Sequence, residues 1–143
     1  MKTKATRRII RPLEERGQAL VEFAVILPVI ILILMGIVDL GRVFNAYVTI
    51  ANAAREGARY GIVYGHSTDD AGIRNQVVTE ALPAVQIVND ASHIVITDSG
   101  SRNPGSELSV RVNYDFNAVT PLISSFWGGG ALTIHASSTM VIE

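Results

Sequence analysis

The sequence contains no cysteine, which excludes a disulfide framework and any thiolate metal site and leaves the redox compartment unread. Charged residues make up only 17% of the chain and the formal net charge is -1, so the basic face of a nucleic-acid binder is missing. Aromatic residues are equally sparse at 6%, too few for the basic aromatic platform that stacks single strands. With 143 residues the chain has room for one compact domain and none for a large multidomain enzyme. Familiar catalytic patterns are absent as well. His66, His93 and His135 never fall at the spacing that sets two ligands on one helix face. There is no Gly-x-Ser-x-Gly elbow and no glycine-rich dinucleotide fingerprint after a strand. Gly128, Gly129 and Gly130 lack the following Lys and Ser or Thr of a phosphate loop, and the adjacent Asp69 and Asp70 read as a helix start rather than a catalytic pair. The expectation is a protein without enzyme activity, cofactor or metal.

What the chain does have is unevenly spread. Its mean hydropathy of +0.31 is high for a soluble domain this short, and the reason lies near the N-terminus. Residues 1–16 carry Lys2, Lys4, Arg7, Arg8, Arg11 and Arg16 against Glu14 and Glu15, a net +4, while residues 17–143 carry six Arg and eleven acidic groups, a net -5. Between them lies ALVEFAVILPVIILILMGIV, residues 19–38, whose single charge is Glu22. As a helix at about 1.5 Å per residue, this run spans a hydrocarbon core of roughly 30 Å. Basic residues before the run place the N-terminus in the cytoplasm and the remainder outside. A secretory signal peptide would have a shorter apolar core and a small-residue cleavage site; neither is present, so the apolar helix is expected to be retained.

At the head of the run the chain reads Arg16-Gly17-Gln18-Ala19-Leu20-Val21-Glu22-Phe23. A basic leader, a boundary glycine and a glutamate just inside the hydrophobic run resemble a type IV prepilin processing site. That resemblance implies that Gly17 ends the leader, that Gln18 becomes the new N-terminus and that Glu22 is the fifth residue of the mature chain. Independently, an ionisable side chain costs about 2.5–3.5 kcal/mol at the centre of a membrane helix and less near its end, so it needs a partner or a task. The freed amino group of Gln18, one helical turn away, can supply one; solvation at headgroup depth is the plain alternative. Pro28 removes a backbone donor inside the helix, so an unwound or kinked turn is expected near residues 25–28.

The piece GQALVEFAVILPV, the Asp39-Leu40-Gly41-Arg42 turn and Ile50-Ala51-Asn52-Ala53-Ala54-Arg55-Glu56-Gly57-Ala58-Arg59-Tyr60-Gly61 together resemble the TadE-like family of pilin-related proteins from tight-adherence, or Flp type IVb, pilus systems. The resemblance covers roughly residues 17–61. It implies a minor pilin or pseudopilin acting in pilus assembly or composition and in surface attachment. Implied partners are a prepilin peptidase, other pilins and minor pilins, the inner-membrane assembly platform and the lipid bilayer, with no nucleic acid. The competing reading is an uncleaved single-pass anchor that presents an extracytoplasmic binding module.

Sequence pattern then gives an α+β fold, which the resemblance implies is pilin-like: a basic leader at 1–17, a transmembrane helix at 18–40, its extracytoplasmic continuation at 41–65, and a small α+β domain at 66–143. One helix of about 43 residues is expected from Gln18 to about Tyr60. Ala53, Gly57, Gly61 and Gly65 recur every fourth residue, a stripe that lets another backbone approach, either of another subunit or of the protein's own sheet. Arg55 and Arg59 repel at four-residue spacing unless acidic groups answer them. Thr68 reads as the cap of a second helix that ends at Pro83. Residues 93–97 form a short strand. Leu108, Val110, Val112, Tyr114 and Phe116 alternate with polar neighbours, as do Leu132, Ile134, Ala136, Met140 and Ile142, so two further strands each have one buried face. The connection 117–130 carries Phe126 and Trp127 as an amphipathic turn or an exposed aromatic contact.

Overall fold

The computed structural model describes residues 13–63, 65–120, 125 and 128–143. The element order is α1 (Leu13–Ile62), α2 (Asp70–Ala81), β1 (Ile94–Asp98), β2 (Glu107–Phe116) and β3 (Leu132–Val141). The fold is α+β, as the sequence pattern predicts: a long N-terminal helix packed on a three-stranded antiparallel sheet of order β1-β2-β3.

Helix α1 has 50 residues, about 75 Å of rise. It begins five residues before the expected start at Gln18, because nothing in Leu13-Glu14-Glu15-Arg16 opposes a helix and Gly17 does not interrupt it. The unwound turn expected at Pro28 is absent. Pro28 sits within an unbroken helix, and the loss is confined to the N–H that would have bonded the Ala24 carbonyl. The Asp39-Leu40-Gly41-Arg42 segment is likewise helical rather than a turn. Past Ile62 the chain leaves the helix through Gly65, whose φ of 86° suits a residue without a Cβ. The helix therefore stops short of the expected 65, and Gly65 falls off the stripe to which it was assigned.

Asp69, not Thr68, caps α2: its Oδ1 accepts the Gly72 N–H at 2.9 Å. The one-residue correction arises because both residues can cap and local spacing does not separate them. Ile73, Val77 and Ala81 are buried on one face of α2, and the helix ends before Pro83.

Strand β2 is central. Ile94 and Ile96 of β1 pair with Val112 and Val110, while Ala136 and Met140 of β3 pair with Val112 and Leu108. Leu108, Val110, Val112 and Ile94 are fully buried, so the period-2 pattern becomes the apolar floor of the sheet. Both helices cover that floor, and α1 contributes Ala46, Ile50, Ala53, Ala54 and Ala58 to the core. The opposite face is polar, with Thr139 Oγ1 donating to Ser109 Oγ at 3.0 Å. Strand β2 is oriented by its contacts at both ends: Leu108 lies against Gly61 and the Phe116 ring lies under Arg42. It therefore descends alongside α1 from the far end of the molecule toward the apolar run.

Candidate functional site

From Leu20 to Val38 the large apolar side chains of α1 other than the half-buried Met35, among them Phe23, Ile26, Ile30, Ile33 and Ile37, are exposed. Water would solvate such a surface poorly, and the helix is long and apolar enough to cross a membrane. Gly17 and Gln18 lie at its head inside continuous helix, and both are exposed. Gln18 Nε2 donates to Glu22 Oε1 at 3.4 Å, so the single acid of the apolar run already has a polar neighbour one turn away. Residues 1–12 of the basic leader lie outside the described residues.

Of the small-residue stripe, Ala53 is buried in the core, and Gly57 and Gly61 are buried against the protein's own α2 and β2. A Cβ on Gly57 would meet the Val77 side chain, and one on Gly61 would meet Leu108 and Ile73. The stripe serves intramolecular packing between α1, α2 and the sheet. Gly65 stands apart, exposed in the turn after α1. Among the described residues no ion pair involves Arg55, Glu56 or Arg59; both arginines are exposed.

The densest polar site is one that sequence reading passed over. Asp39, the first residue after the apolar run, is 2% exposed. Its Oδ2 accepts the Thr120 N–H at 2.9 Å and its Oδ1 the Val119 N–H at 3.1 Å. Arg42, one turn further on, donates to Asp39 Oδ1 at 3.0 Å and to the Asn117 carbonyl at 3.5 Å, with its guanidinium 5.1 Å from the Phe116 ring centroid. A carboxylate satisfying two backbone donors and a guanidinium satisfying a carbonyl fix residues 116–120 to α1 at the end of its apolar run. The available signal is an acid at the end of a run apolar enough to cross a membrane, where a charge needs partners; its partners lie 80 and 81 positions away. Phe126 and Trp127, further along the same connection, lie outside the described residues.

Two other clusters close loops. Arg102 pairs with Asp70 and, at 3.0 Å, with Asp98, and donates to the Ser67 carbonyl at 2.7 Å. The Arg102 hydrogen bond, aided by the Gly100 N–H, holds the Asp98 carboxyl below its ordinary range. Asp90 Oδ1 accepts from the backbone and ring of His93, both at 2.8 Å, and from Ser92. These bonds, the His93 backbone N–H foremost, hold the Asp90 carboxyl well below the usual carboxylate range. His66 stacks on Tyr60 with ring centroids 4.4 Å apart, and His135 is exposed on β3. Among the described residues no three His, Asp or Glu side chains are grouped to hold a metal ion.

No curated protein and no solved structure matches the chain. The family model described as TadE-like protein matches residues 17–59, which runs from the boundary glycine through the Asp39 and Arg42 clamp to the last turn of α1. Over residues 17–59, from Gly17 to the last turn of α1, the long helix of this chain is similar to the TadE-like family.

Proposed function

We propose that this chain is a minor pilin or pseudopilin of a tight-adherence, type IVb pilus system, inserted with its N-terminus in the cytoplasm and cut after Gly17 by a prepilin peptidase. The observation that carries the reading is the TadE-like match beginning at Gly17, immediately ahead of an exposed apolar helix with Glu22 in its first turns. Removal of the leader takes away a net +4 and creates an amino group at Gln18, one turn from Glu22, able to neutralise it in the same or a neighbouring subunit. Partners on this reading are other pilins and the inner-membrane assembly platform, and the small sheet domain is carried outward toward surface attachment. Intact-mass measurement in cells carrying the peptidase tests it. The wild-type chain should lose residues 1–17 and Gly17→Leu should keep them; a wild-type chain that keeps its leader overturns the processing step.

The continuity of α1 from Leu13 across Gly17 favours a second reading, an uncleaved anchor presenting the sheet domain as a binding module. Recovery in sheared filament fractions supports the pilin reading, and strict retention of full-length chain in membranes supports the anchor.

A further inference from the structure

The descent of β2 toward the apolar run puts Phe116, and Leu132 paired with it, at the membrane end of the domain. The chain between these strands thus leaves and returns at that end. Asp39 and Arg42 satisfy three backbone groups there, the N–H of Val119 and of Thr120 and the carbonyl of Asn117. Bonded in this way, residues 117–120 can lie at the edge of a hydrocarbon layer, where no water pairs backbone groups and an unpaired one is costly. Beside these bonded backbone groups Val119 is an apolar side chain left 60% exposed. Its height is set covalently, because Asp39 follows directly on a twenty-residue run of about 30 Å, which matches the hydrocarbon thickness.

We propose that residues 116–120 form a membrane-seating edge, held by Asp39 and Arg42 against the bilayer that α1 crosses, with Val119 at the boundary between headgroups and hydrocarbon. This rests on the reading of residues 19–38 as a membrane span, and on neither its orientation nor leader cleavage. The seat fixes the domain upright: α1 continues to Ile62, about 35 Å beyond Asp39 along the axis, where Ser67 and Arg102 meet.

The absence of cysteine makes the test direct. Full-length Val119→Cys, Ile33→Cys and Asn103→Cys chains, each carrying one environment-sensitive fluorophore, are reconstituted in phosphatidylcholine vesicles containing lipids spin-labelled either near the headgroup or deep in the acyl chain. The label at 119 should lose more fluorescence to the shallow quencher, the label at 33 more to the deep one, and the label at 103 should lose none to either. Deep quenching at 33 with none at 119 overturns the seat and leaves the span standing. Absence of quenching at 33 overturns the span and the seat with it. Equal quenching at 103 and 119 overturns the seat in favour of a domain lying flat on the surface.

Discussion

The carboxylate of Asp39 accepts the backbone N–H of Thr120 at 2.9 Å across 81 positions of sequence. Together with the Val119 N–H this makes one buried side chain the tie between the apolar helix and the β2 exit. Asp39→Ala should release the 117–120 segment, with a clear gain in hydrogen exchange at the Val119 and Thr120 amides and little change at Val110 or Val112 in the core. Asp39→Asn retains one carbonyl acceptor and should fall between. Exchange unchanged in Asp39→Ala would show that the two amides are protected by something other than this carboxylate.

Gly57 and Gly61 make the helix-to-sheet contact close. In an exposed helix, Gly→Ala gains about 0.5–1 kcal/mol. Here the added Cβ collides with Val77 in the first case and with Leu108 and Ile73 in the second, and overpacking costs about 1–3 kcal/mol. Both substitutions should therefore lower the thermal midpoint in detergent, independently of protein concentration. Gly41→Ala, where nothing lies within 4 Å, should be neutral or stabilising. A concentration-dependent loss at Gly57 would instead place the stripe between subunits.

How far these features were legible in the sequence depends on how local their causes are. The alternation from Leu108 to Phe116 is a property of one strand and a two-sided environment, so it predicts the buried Leu108, Val110, Val112 and Phe116 of β2, with Tyr114 only half-buried. The run at 19–38 declares itself by composition. The Gly57 and Gly61 spacing announced a close approach without saying to what, since spacing describes one surface and not its partner. Asp39 was the hardest to read: a helical carboxylate whose partners are backbone groups of a distant segment leaves no local pattern, and those backbone groups carry no side-chain signature at all. The Gly65 assignment failed because a fourth-residue repeat continues in sequence past the point where the helix has already ended.

The acid limit of stability should report the Asp90 and Asp98 clusters. Both carboxyls titrate below their ordinary range in the folded chain, Asp90 through the His93 and Ser92 bonds and Asp98 through Arg102 and Gly100. A depressed folded value means that the stabilisation is present above the ordinary carboxylate value, about 3.9, and is lost as pH falls through the lower folded one. The thermal midpoint should thus hold from neutral pH down to that range and fall beneath it. Asp90→Asn should lower the plateau and flatten the acid decline. A decline of wild-type steepness in both Asp90→Asn and Asp98→Asn would move the cause to other carboxylates.

The start of α2 offers a one-residue test of where the cap lies. Asp69 Oδ1 accepts the Gly72 N–H at 2.9 Å, and the Tyr60 hydroxyl donates to Oδ2 at 3.3 Å, so this side chain both caps α2 and joins it to the last turns of α1. Removing a capping carboxylate costs about 0.5–2 kcal/mol, and Asp69→Ala should show a loss of that order by chemical denaturation. Thr68→Ala should be close to neutral, because Thr68 is exposed and lies one position before the cap. Gly72→Ala should resemble Asp69→Ala, since a Cβ there would strike the Asp69 carboxylate and displace it from the N–H it accepts. If Thr68→Ala proved the more costly change, the helix would begin a residue earlier and the Tyr60 contact would no longer be tied to the cap.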